Sequence, residues 1–154
     1  MNRRDFSVLL PMLLAAPALA PTAEAQTPPQ TAPASHTLPK LASGRYVPGA
    51  TSGKQPSPRE IHHFLAGMLP DNIRLEAHVT FLAPGAPAEP VEHHKHSDMW
   101  FVREGTVTLM TAGVVRTLKA GEMGLCIAGD DHSITNASNT EPASYFVVAV
   151  GPPE

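Results

Sequence analysis

The chain has 154 residues, a formal net charge of -3 and a single cysteine, which allows one domain plus a tail and excludes two full cores. That balance, with no basic patch interleaved with aromatics, argues against nucleic acid or an anionic membrane surface as partner. Cys126 has no mate for an internal disulfide and belongs by residue type in the core.

The chain starts with Arg3 and Arg4, then runs apolar for 13 residues from Val8 to Ala20, interrupted by Pro11 and Pro17. About 20 apolar residues are needed to span a bilayer. The order basic, apolar, small is instead that of a secretory signal peptide. Arg3-Arg4-Asp5-Phe6 resembles the twin-arginine export signal, although Ser7 and Val8 depart from its usual continuation. Ala23-Glu24-Ala25 is the better cleavage site, because cutting after Ala20 would leave Pro21 at the new terminus. Residues 1–25 are therefore expected to be a signal peptide of a periplasmic or secreted bacterial protein, free of the membrane after cleavage. An uncleaved anchor is the competing reading.

Residues 26–58 carry Pro28, Pro29, Pro33, Pro39, Pro48, Pro56 and Pro58 among Thr, Ala, Ser and Gly. Such a segment buries too little to offset its ordering entropy and is expected to be a largely disordered or extended leader. Leu38 to Val47 is the part able to pack as an arm on the domain, which spans 59–154. A turn of helix is expected over Pro58 to Met68, with Ser57 as cap and Glu60 three residues on.

Ile73 to Leu82 alternates and reads as a strand, with Leu75, Ala77, Val79 and Phe81 on the core face and His78 opposite, toward solvent. Pro84 to Pro90 breaks it. Short apolar runs follow at Met99–Val102, Thr106–Met110, Val114–Leu118, Met123–Ile127 and Ser144–Val150, separated by turn chemistry such as Ala112-Gly113. Strands at this spacing, without helical periodicity between them, point to an all-β antiparallel sandwich or barrel.

Between the loop and the next strand lies Val91-Glu92-His93-His94-Lys95-His96-Ser97-Asp98. Neutral imidazole and ionised carboxylate are common donors to divalent metals. In an extended strand Glu92 and His94 point to one side, Asp98 joins them past a local bend, and His93 and Lys95 face away. A solvated polar hairpin is the competing reading. A further donor must come from another strand, and His132, which opens a strand after the Gly129 turn, supplies one. Asp130 and Asp131 flank it, either as plain turn residues or orienting its second ring nitrogen.

These two runs resemble the paired motifs of the cupin superfamily. The second motif has Gly, five residues, Pro, one residue, Gly, two residues, His, three residues and Asn. Gly121, Gly129, His132 and Asn136 match it in register, with Ile127 in place of Pro. The first motif ends in a carboxylate, six residues and Gly, which fits Asp98 and Gly105, and it places the second histidine of a His-x-His pair on His94. The first falls on Glu92. The literal pair His94-Lys95-His96 would put Trp100 where the acidic ligand belongs, and His93 would replace Glu92 only if the strand bulged.

The resemblance covers about Leu75 to Gly151 and implies a cupin-type antiparallel β-barrel or jelly roll with a metal in its mouth. By carry-over, Glu92, His94, Asp98 and His132 are the metal ligands, His96 and Trp100 line the pocket, and Asn136 stands behind the site or fixes a turn. It implies one divalent ion per chain, Fe(II) or Mn(II) ahead of Zn(II), a small-molecule ligand and a homodimer. The expected function is that of a small metal-dependent oxygenase or isomerase acting on an oxygenated metabolite. The alternatives are a non-catalytic module binding a small molecule or sugar, and a barrel that has lost its metal.

Overall fold

Period-two alternation carries most of the described residues from Arg59 onward into strands. The computed structural model describes residues 38–51 and 57–153; the expected signal peptide and the first part of the leader lie outside them. The strands are β1 (Arg59–Leu69), β2 (Ile73–Leu82), β3 (Glu92–His93), β4 (Ser97–Glu104), β5 (Thr106–Thr111), β6 (Val114–Lys119), β7 (Met123–Cys126), β8 (Asp131–Asn136) and β9 (Ala143–Gly151). They form a five-stranded sheet in the order β1-β2-β9-β4-β7 and a four-stranded sheet in the order β3-β8-β5-β6. Every pairing within them is antiparallel. No strand belongs to both sheets, so the expected closed barrel is corrected to two facing sheets. Their shared interior holds Leu82, Trp100, Val102, Val107, Leu109, Ile134, Tyr145 and Val147. Cys126 is buried with them.

The helical turn expected over Pro58 to Met68 is instead the edge strand β1. Arg59 to Leu69 pairs along β2 from Arg59 opposite Leu82 to Leu69 opposite Ile73. Ile61, the aromatic Phe64 and Gly67 fit a pleated ladder better than a helix, and pairing with a neighbour overrides a weak local signal. Ser57 does accept the backbone N–H of Arg59, at 3.2 Å, but at the start of a strand. Residues 39–49, assigned from composition to the leader, run beside β1: Met68 donates to Pro39, Leu41 donates to Met68, and Gly49 donates to His63.

The faces of β2 are also the reverse of the expectation. Thr80 and Leu82, each 1% exposed, point between the sheets, and so do Arg74, Glu76 and His78. Leu75, Ala77, Val79 and Phe81 lie on the outer face, where His62 packs edge-on against Phe81, and Phe64 packs in the same way against Phe146 of β9. The outer face is apolar because β1 and β9 contribute their own apolar groups to it, and the inner face turns polar toward one end because a site is built there.

Two turns set the strand directions. Ala112 and Gly113, both at positive φ, join Thr111 to its partner Val114 in the two-residue hairpin form that matches strand twist. Gly105, at φ 71°, connects β4 to β5, and a Cβ there would come 2.4 Å from the Pro142 carbonyl oxygen. Gly113 has a similar φ of 74° but open space around it. Gly113→Ala should therefore lose about 1 kcal/mol of stability through backbone conformation alone. Gly105→Ala should lose about 3 kcal/mol, because the close contact adds to that cost. Urea unfolding of both variants checks this, and equal losses would show that the approach of Pro142 does not dictate the glycine.

Candidate metal centre

Along β2, β4 and β8 the interior changes from apolar to polar toward the same end. On β4 the inward parity runs Val102, Trp100, Asp98; on β8 it runs Ile134, His132; on β2 it runs Leu82, Thr80, His78, Glu76, Arg74. The polar ends meet in a cavity of about 270 Å³ that is also lined by Glu89, Glu92, His94, His96, Tyr145, Val147 and Ala149.

Strand register brings Glu92 and His132 together. They are direct partners in the β3–β8 ladder, and His93 is the partner of Asp131. There is no bulge, so His93 points outward, its Nδ1 3.2 Å from Asp131 Oδ1, with both side chains 63% exposed. Glu92 therefore holds the inner position. The loop between β7 and β8 pins the segment from behind: Gly129 donates its N–H to the His94 carbonyl at 2.9 Å, and Ala128 donates to Ser97 Oγ at 3.0 Å.

The donor atoms fall into two overlapping groups, Glu92, His94 and His132, and His94, His96 and Asp98, each within 4.8 Å. His94 Nε2 is 3.2 Å from Glu92 Oε2, and His132 Nε2 lies 4.0 Å from Glu92 Oε2 and 3.8 Å from Asp98 Oδ2. The His94 and His96 rings stack at 4.5 Å, and Trp100 closes the site behind His132 at 5.2 Å. His96 is thus more than lining. Arg74 Nη1 lies 3.1 Å from His96 Nδ1 and 3.4 Å from its Nε2, and His96 Nε2 is 3.5 Å from Asp98 Oδ1.

Ionisation follows burial. Desolvation lifts Asp98 to about 6, with Glu76 and Glu92 adding to the rise and His94 and Arg74 opposing it. Burial, then the neighbouring His94, lowers His132 against the pull of Glu92, which keeps its imidazole neutral at neutral pH. A neutral imidazole beside the buried Asp98 and the half-exposed Glu92 fits a divalent cation, because ligation requires the unprotonated imidazole and the cation removes the repulsion between the acids. Burial, ahead of nearby acidic groups, pushes the Cys126 thiol up to about 11, which makes it an inert core group.

Of the two readings of Asn136, the turn-fixing one holds: its Nδ2 donates to the carbonyls of Ala83 and Glu141, and its Oδ1 accepts from the N–H of Ser138, which ties two loops at the far end of β8, away from the cluster. His78, assigned to solvent, lines the cavity. Arg74 and Glu76 of β2 were not singled out; three ionisable groups alternating before the buried Thr80 and Leu82 were the available signal. Tyr145, 1% exposed, was read only as part of a strand, yet its hydroxyl accepts from Arg59 at 3.2 Å and lies 3.4 Å from Glu89.

The cupin domain family matches residues 78–149, and this supports the cupin superfamily. Solved structures agree on the architecture. An RmlC-like cupin from Shewanella frigidimarina is 19% identical with a TM-score of 0.53, over 71% of this chain and 87% of that one. KdgF from a Halomonas species is 17% identical with a TM-score of 0.56, over 73% and 96%. A predicted oxalate decarboxylase from Thermotoga maritima is 20% identical with a TM-score of 0.52, over 68% and 92%. The fold is a cupin fold. No curated protein sequence matches the chain.

In the metal-free protein, folded Asp98 keeps a proton that the unfolded chain releases at lower pH, so stability falls as pH rises from about 4 to 6. Asp98→Asn removes that ionisation. It should stabilise the chelator-treated protein by about 1 to 2 kcal/mol at neutral pH and leave stability at about pH 3.5 unchanged. Urea midpoints across this range measure it, and a variant no more stable than the parent at neutral pH would contradict the assignment.

Proposed function

We propose that this cupin binds one divalent ion on Glu92, His94, Asp98 and His132 and acts as a small metal-dependent oxygenase or isomerase on an oxygenated metabolite. The observation that carries this reading is the convergence of imidazole and carboxylate donors inside one cavity, with Asp98 and His132 buried among apolar neighbours. Mixed nitrogen and carboxylate donors favour Fe(II) or Mn(II), with Zn(II) also accommodated. Such an ion supplies Lewis-acid or redox chemistry when bound.

The chain's own groups do the rest. Trp100 and Val147 keep one wall dry. Arg74 offers its guanidinium to electronegative substituents, and His96 sets its Nε2 3.5 Å from Asp98 Oδ1. The cavity volume of about 270 Å³ is below the range of roughly 300 to 1,000 Å³ that takes drug-sized ligands, which suits a small metabolite. Anaerobic reconstitution followed by elemental analysis and an O2-consumption screen tests the reading. About one equivalent of metal is expected in the parent and a small fraction of that in His132→Ala. Less than about a tenth of an equivalent in the parent after reconstitution would overturn it.

Export and self-association belong to the same proposal. The basic and apolar start of the sequence supports export to the periplasm. The outer face of the five-stranded sheet leaves Phe81, Phe101, Met123 and Leu125 between 37% and 51% exposed, an apolar surface suited to a second copy. Cell fractionation followed by sedimentation of the recovered protein checks both. The expected result is a periplasmic dimer, against a cytoplasmic protein or a monomer at tens of micromolar.

A further inference from the structure

A second group of donors lies at the outer rim of the cavity and shares no residue with the first. His63 of β1 and His78 of β2 are direct cross-strand partners, and Glu76 is two residues from His78 on the same face. The register of β1 shifts immediately after His63, a distortion that re-aims side chains. His63 Nδ1 is 3.3 Å and His78 Nδ1 is 3.4 Å from the same oxygen, Glu76 Oε1. All three donors lie within 4.8 Å of one another, and the two rings tilt together at 5.2 Å.

We propose that His63, Glu76 and His78 form a second binding site for a borderline divalent cation of the zinc class. Three features support it. Arg74 occupies the other oxygen, Oε2, so Oε1 is directed at the two imidazoles. His78 Nδ1 is buried and lies 3.4 Å from Glu76 Oε1, the same oxygen that His63 Nδ1 approaches, so the three donors face one another. Two imidazoles and one carboxylate, with His63 45% exposed at the rim, make a three-ligand set with an open side, the arrangement of metal sites that retain a water or substrate position. The contacts with His78, Arg74 and His63 outweigh desolvation and hold Glu76 below its ordinary range, which leaves it ionised for ligation. Arg74 separates this site from the first, since it also reaches His96.

Chelator-stripped full-length protein titrated with Zn(II) at neutral pH, by equilibrium dialysis with elemental analysis, tests the site. His63→Ala should weaken one class of zinc binding by about tenfold or more. His63→Ala/His78→Gln should remove one equivalent while His132→Ala retains it. His63 lies half exposed on an edge strand, and matched thermal unfolding of the metal-free proteins would establish that its replacement leaves the fold intact. Zinc stoichiometry and affinity unchanged by both His63→Ala and the double variant would overturn the proposal. A parent that binds a single equivalent, lost in His63→Ala but not in His132→Ala, would support this site and refute the four-residue centre.

Discussion

Ionisable groups inside a β-sandwich carry a desolvation cost that only close partners offset, and the cavity end of this fold is organised around that constraint. Asp98 is 6% exposed and His132 is 4% exposed, yet each lies within 4 Å of an oppositely polarised neighbour. The surroundings serve the same arrangement. The turn at Gly129 holds the backbone of His94, Ser97 anchors the β7–β8 loop, and Arg74 spans from Glu76 to His96.

The apolar core is therefore displaced toward one end of the sandwich. Val102, Val107, Leu109, Ile134 and Tyr145 fill it, and the same strands, continued by one or two residues of the same parity, supply the polar cavity. A strand here has a wet end and a dry end as well as an inner and an outer face. That gradient lets a small domain keep a packed interior while presenting several titratable groups to a ligand.

Much of this is legible residue by residue. The Glu92 to Asp98 run and His132 identify themselves through donor chemistry and spacing, and the inward parity of His94 and Asp98 follows from strand geometry. The hairpin at Ala112-Gly113 follows from turn chemistry. β2 is the instructive exception. Its apolar parity was assigned inward on the rule that apolar groups face the core, but Phe64 and Phe146 provide a second apolar environment outside the sheet. With apolar partners on both sides, period two tells that there is a strand but not which face is inside. β1 was obscured differently: this edge strand gains its conformation from pairing with β2 across the short Pro70–Asn72 turn, and that pairing leaves no mark in the pattern of its own residues.

The sequence by itself determined the all-β class and set imidazole and carboxylate side chains at Glu92, His94, Asp98 and His132 at the motif spacing, because alternation, turns and donor chemistry are local properties. Only the tertiary structure decided that the sheets stay open, that Glu92 and not His93 faces His132, and that Arg74, Glu76 and His78 share the cavity. Each of those depends on register between strands far apart in the chain, and a shift of one residue in that register would send every one of these side chains to the opposite face.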